Sequence, residues 1–148
     1  MKLKKKAFSM IELLFAMIIM AALAAIAIPS LSSGTNSATY TSMKSDIANA
    51  ITTTQGDYIV EGKYDNSDGD FEDQDNDGLA DTGGINDDGY IGNKRVHISK
   101  GNTLYINPQD CSGDGVNDGV YIGIANDNVE RVIRYNSCTT AKLQLEDN

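Results

Sequence analysis

The feature that most constrains this chain is an unbroken apolar run over residues 13–28, preceded by one carboxylate, Glu12, and by a cluster of lysines at positions 2, 4, 5 and 6. The stretch from Phe8 to Ile28 holds 21 residues. As a helix it is roughly 30 Å long, about the hydrocarbon thickness of a bilayer. The lysines fix its orientation, because positive flanks stay cytoplasmic. A helix apolar on every side belongs in a membrane or in the core of an assembly.

An ordinary secretory signal has a similar outline: a basic start, an apolar stretch and a small-residue sequence such as Ala25-Ile26-Ala27. Two features oppose that reading. A carboxylate in the apolar run costs roughly 2.5–3.5 kcal/mol to insert, which is unexpected in a disposable signal. The run also passes Pro29 and continues into a segment with helical character instead of ending in a polar, cleavable region.

The residues Lys6-Ala7-Phe8-Ser9-Met10-Ile11-Glu12-Leu13 resemble the class III leader junction of type IV pilins and type II secretion pseudopilins. The resemblance covers about the first 30 residues. It implies cleavage between Ala7 and Phe8 by a prepilin peptidase that also methylates the new Phe8 amine. Glu12 then lies four residues after the cut and Pro29 lies 21 after it, as in that family. Ala7 departs from the usual Gly, but it is also small. The resemblance further implies an inner-membrane precursor, an assembly platform with its ATPase, and a homo-oligomeric helical filament, either a surface fimbrium or a periplasmic pseudopilus. Glu12 is expected to pair with the methylated ammonium of Phe8 on a neighbouring subunit, since a costly buried charge becomes a register mark once paired. The alanines at 16, 21, 22, 24, 25 and 27 leave a thin helix suited to close packing.

Pro29 lacks a backbone donor and Gly34 is a second weak point, so the helix is expected to fall into two halves. Residues 1–7 form the leader, 8–28 the membrane and filament-core helix, and 29–56 an amphipathic half. Met43, Ile47 and Ile51, with Ala50 beside them, make a stripe for lying on a sheet. Gly56 and the charges after it are expected to end the helix. Residues 57–148 then form an acidic, β-rich head. Candidate strands are 96–99, 103–106, 120–125 and 130–135, with a short edge strand around Leu143 and Leu145. Gly101-Asn102 predicts a tight turn between the first pair, and Asp127-Asn128 a turn between the last. The expected fold is α+β: a long helix packed across an antiparallel sheet of about four strands, which the pilin resemblance also implies.

The formal charge is −9. Without the leader lysines, eight basic residues face 21 acidic ones, a net charge of −13. Such a head repels nucleic acid. Cys111 and Cys138 both lie in the part exposed outside the cytoplasm, where a disulfide is favoured over free thiols. Two cysteines and one distant histidine do not complete a structural zinc site.

The acidic segment holds a second motif. Asp73, Asp75 and Asp77 alternate before Gly78, and Asp81 follows. Calcium takes six to eight hard oxygens, and alternating carboxylates around a glycine turn supply them, with a backbone carbonyl such as that of Leu79. The stretch resembles the loops of EF-hands and thrombospondin type 3 repeats, except that Gly84 stands where an EF-hand has its twelfth-position Glu. Asp87, Asp88 or water are left to complete the set. Asp110, Asp114 and Asp118 form a weaker echo. The competing reading for both is a solvated acidic loop.

No catalytic constellation is apparent. His97 is the only histidine and lies in a Val-His-Ile alternation suited to a strand face. There is no Ser-His-Asp arrangement, no P-loop and no dinucleotide fingerprint. The reading is therefore a structural filament subunit. Its rivals are a type II secretion pseudopilin and, in a different class, a secreted calcium-binding module.

Overall fold

A computed structural model describes the backbone of residues 9–147, and every side chain in that range except those of residues 26–33 and 66. The chain divides into two compact units, residues 1–37 and residues 38–148.

The first unit carries the start of helix α1, which is assigned over Met10–Glu61. The apolar side chains of residues 10–23 are exposed on every side of the helix. Among the described residues no helix is long and apolar enough to cross a membrane. Of the expected 8–28 span, Phe8 and the side chains of 26–28 lie outside those described, as does the side chain of Pro29.

The second unit is the α+β head. Met43, Ile47 and Ala50 are fully buried, and Ile51 packs against the core from its edge. The predicted stripe is therefore the buried face. It meets a five-stranded antiparallel sheet in the order β1-β4-β5-β6-β7. The strands are β1 Gly69–Glu72, β4 Asn102–Gln109, β5 Gly119–Asn126, β6 Arg131–Asn136 and β7 Gln144–Asp147. A separate ribbon pairs β2 Tyr90–Ile91 with β3 Lys94–Arg95. Period-two alternation carries the core across the sheet: Phe71 opposes Leu104, Leu104 opposes Ile124, and Ile124 opposes Ile133. All four are buried.

Three expectations require correction. The helix does not stop at Gly56 but runs to Glu61. One glycine costs only about 1 kcal/mol in a helix, and Tyr58 beyond it still packs on the core. Gly62 supplies the stop, its N–H bonding Tyr58 O at 2.8 Å in a left-handed cap. Second, residues 96–99 are not a sheet strand paired to 103–106 through a Gly101-Asn102 hairpin. Val96 and Ile98 are buried and His97 is exposed, as the alternation predicts, but their partners lie in the acidic segment. Ala80 N–H bonds Val96 O, Ile98 N–H bonds Gly78 O, and Leu79 faces His97 as an isolated antiparallel bridge. Third, the sheet has five strands, because β1 arises inside the acidic segment, where Phe71 is fully buried.

A buried polar network ties helix to sheet. Asp46 is 4% exposed. Its carboxylate accepts from Ser99 N–H at 2.7 Å, Ser99 Oγ–H at 3.0 Å and Asn102 Nδ2–H at 2.7 Å. Asn126 in turn donates to Asn102 Oδ1 at 2.7 Å. Thus α1 holds the turn that leads from the segment under the acidic loop into β4.

Candidate functional site

The acidic segment is an ordered structure. Asp73 spends both oxygens on its own loop: Oδ1 accepts from Asp77 N–H at 3.1 Å and Oδ2 from Gly78 N–H at 2.9 Å. Asp77 Oδ1 accepts from Leu79 N–H at 2.8 Å. Asp81 Oδ2 reaches back to the amides of Gln74 and Asp75, at 2.9 and 3.2 Å. The turn passes through Gly78 at φ +89°, a conformation that favours glycine.

This folding brings one oxygen each from Asp73, Asp75 and Asp81 within 4.8 Å of one another. Oxygens bound to one calcium at 2.3–2.6 Å lie at most about 5.2 Å apart, so the three fit a single ion. Leu79 stands in a non-hydrogen-bonded antiparallel pair, where a residue's own N–H and C=O point away from the partner strand, leaving its carbonyl on the loop side. Asp77 is outside this trio and faces Arg95, whose Nη1 lies 3.8 Å from Asp77 Oδ2. Asp87 and Asp88 are turned onto neighbouring amides, those of Gly83 and Tyr90. Gly84 donates its N–H to Asp68 O.

The second acidic loop repeats the main hydrogen bonds of the first. Asp110 Oδ2 accepts from Gly115 N–H at 2.8 Å, as Asp73 does from Gly78. Asp114 accepts from Val116 N–H, as Asp77 does from Leu79. Asp118 accepts from Cys111 N–H, as Asp81 does from Gln74. Gly115 has φ +86°. The amides of Gly115 and Gly113 hold the Asp110 carboxyl below its ordinary range. Among the described residues only Asp73, Asp75 and Asp81 form a three-group cluster, so Asp110, Asp114 and Asp118 are joined through backbone amides instead.

Cys111 and Cys138 form a disulfide with Cα atoms 5.4 Å apart, closing a loop that contains β5 and β6. The bridge lies against Gly119, where a Cβ would stand 1.9 Å from Cys111 Sγ and 2.5 Å from Cys138 Sγ. Only glycine leaves the sulfurs room at the start of β5.

At the other end of the chain, Glu12 Oε2 accepts the Ser9 N–H at 3.0 Å, and the Ser9 carbonyl accepts the amides of Glu12 and Leu13. Ser9 is thus the N-cap and Glu12 the third helical residue, one half of a capping box. A family model described as the prokaryotic N-terminal methylation motif matches residues 2–28. That motif is the class III signal found in type IV pilins and pseudopilins. No curated protein and no solved structure matches it.

The motif implies processing by a prepilin peptidase and assembly into a pilus-like filament. Ala7 and Phe8, the expected cleavage residues, lie outside the described residues. Sequence reasoning missed one role of Glu12: its carboxylate caps the helix start. Also missed were Arg95 beside the acidic loop, Asp46 in the core and Gly119 under the disulfide. Asp46 sits on the helix between Met43 and Ile47, both buried, so its place on the apolar stripe was the available signal.

Proposed function

We propose that the chain is a structural subunit of a type IV pilus-like filament, assembled from the inner membrane through α1. The observation that carries this reading is the methylation motif over residues 2–28, within which the helix exposes apolar side chains on every side. That surface needs lipid or neighbouring subunits to cover it. Intact-mass spectrometry of purified filaments tests the proposal. The expected subunit starts at Phe8 and carries one added methyl group. A mature chain starting near Pro29 would identify a secreted module instead.

The Cys111–Cys138 bridge around the C-terminal strands favours a surface pilus, because it resembles the cysteine-bounded loop of pilins. The Asp73–Asp81 loop favours the second reading, a type II secretion pseudopilin. Electron microscopy of sheared surface filaments separates them: filaments built of this chain support the pilus, and their absence from a secreting cell supports the pseudopilus.

The head is further proposed to bind calcium at Asp73, Asp75 and Asp81 with the Leu79 carbonyl, with Asp77 in support and Asp110, Asp114 and Asp118 as a second, weaker position. The bound ion would neutralise the carboxylates and stabilise the folded head by mass action. The gain is about 2.7 kcal/mol when free calcium is about a hundred times the dissociation constant. The missing twelfth-position carboxylate places affinity near the extracellular range, on the order of 10⁻⁴–10⁻³ M. The expected result is a melting temperature of the detergent-solubilised chain that rises with calcium more than with magnesium. The rise should vanish in Asp75→Ala combined with Asp77→Ala. A melt indifferent to millimolar calcium, with silent titration calorimetry, would leave a solvated acidic loop.

A further inference from the structure

The Asp73–Asp81 loop packs four carboxylates into nine residues of an already acidic head. One cation is already placed against it. Arg95 donates from Nε to the Ala80 carbonyl at 2.9 Å and from Nη2 to Asp81 Oδ1 at 2.5 Å, while Nη1 stands 3.8 Å from Asp77 Oδ2. All three guanidinium nitrogens thus face the loop. The backbone beneath is anchored outside the loop: Arg95 pairs with Tyr90 in the β2–β3 ribbon, and Val96 N–H bonds Gly89 O. Arg95 cannot follow the loop if the loop opens.

We propose that Arg95 is the internal counter-cation of this loop. It holds the loop in its folded geometry when divalent ions are scarce, and it sets how much calcium is needed to take over. The first half stands on the ion pair alone; the second rests on the calcium reading above. Asp81 links the two. Its Oδ2 accepts the amides of Gln74 and Asp75, and its Oδ1 is held by Arg95, yet the same side chain belongs to the carboxylate trio. A cation that takes Asp81 must share the carboxylate with a guanidinium or displace it. A planar, permanently charged fork reaches the carbonyl and the carboxylate together, which an ammonium does not.

The test is hydrogen exchange of the peptide covering residues 73–81, measured on the full chain in detergent micelles with chelator and across a calcium titration. Arg95→Gln in chelator should exchange roughly tenfold faster in this peptide, allowing for a partly exposed pair. Arg95→Lys should fall between it and the wild type. Calcium should restore protection in Arg95→Gln, and at a lower concentration than the wild type requires, because no guanidinium competes. Unchanged exchange of Arg95→Gln in chelator overturns the proposal. Should that variant exchange fast in every segment, Arg95→Lys decides: loop-confined loss upholds the clamp, and no change overturns it. Faster loop exchange with no calcium response in either protein upholds Arg95 as counter-cation and overturns the calcium reading.

Discussion

Glu12→Gln should cut filament yield by more than about a hundredfold while leaving membrane insertion and the helix start unchanged. Gln separates the capping contact of this side chain from its expected pairing in the filament. As an acceptor for the Ser9 amide, Gln replaces Glu, since either residue completes a capping box. For the expected pairing with a neighbour's methylated Phe8 ammonium, Gln has no charge to offer. Removing one member of a buried pair costs about 3–5 kcal/mol, and each 1.4 kcal/mol is a factor of ten. Glu12→Leu loses both functions and should assemble no better. Sheared-filament yield, read against the amount of chain in the membrane fraction, gives the answer. Wild-type yield from the Gln variant with loss only in the Leu variant would assign the carboxylate to the helix start alone.

Asp46→Ala should lower the melting temperature of the head by about 10 °C. The carboxylate is almost fully buried and accepts three hydrogen bonds from two residues of one turn. Its removal strands those donors, at about 3 kcal/mol in total for a charged acceptor in the core. Asp46→Asn keeps one acceptor oxygen and should lose less than the Ala variant. All seven tyrosines lie in residues 38–148, so a near-ultraviolet tyrosine signal follows the head without interference from the apolar helix. A shift below about 2 °C for Asp46→Ala would mean that the Ser99–Asn102 turn is held by apolar packing instead.

The sequence carried those features that depend on neighbours along the chain. The four-residue spacing of Met43, Ile47 and Ile51 marked the buried face of α1. Alternation in residues 120–125 and 130–135, with Asp127-Asn128 between them, located β5, β6 and their turn to within a residue or two. Both acidic loops were legible because their hydrogen bonds run between residues two to seven apart, so spacing alone encodes them. The lysines, Glu12 and the apolar run likewise form one local pattern, which the methylation motif matches over residues 2–28.

What tertiary structure decided was partnership. Val96-His97-Ile98 alternates as a strand should, but alternation reports which side is buried and not which segment supplies the hydrogen bonds. The partner proved to be residues 78–80 in place of residues 103–106. Strand β1 offered one large apolar residue, Phe71, among carboxylates, too little for a local pattern to register. Asp46 meets Ser99 and Asn102 from more than fifty residues away, and Arg95 meets Asp81 across 14. Gly119 is required only because two sulfurs, one from either side in sequence, come to rest on it. Contacts of this kind form where separate elements are brought within a few ångströms, and the residues that make them carry no periodic signature of their own.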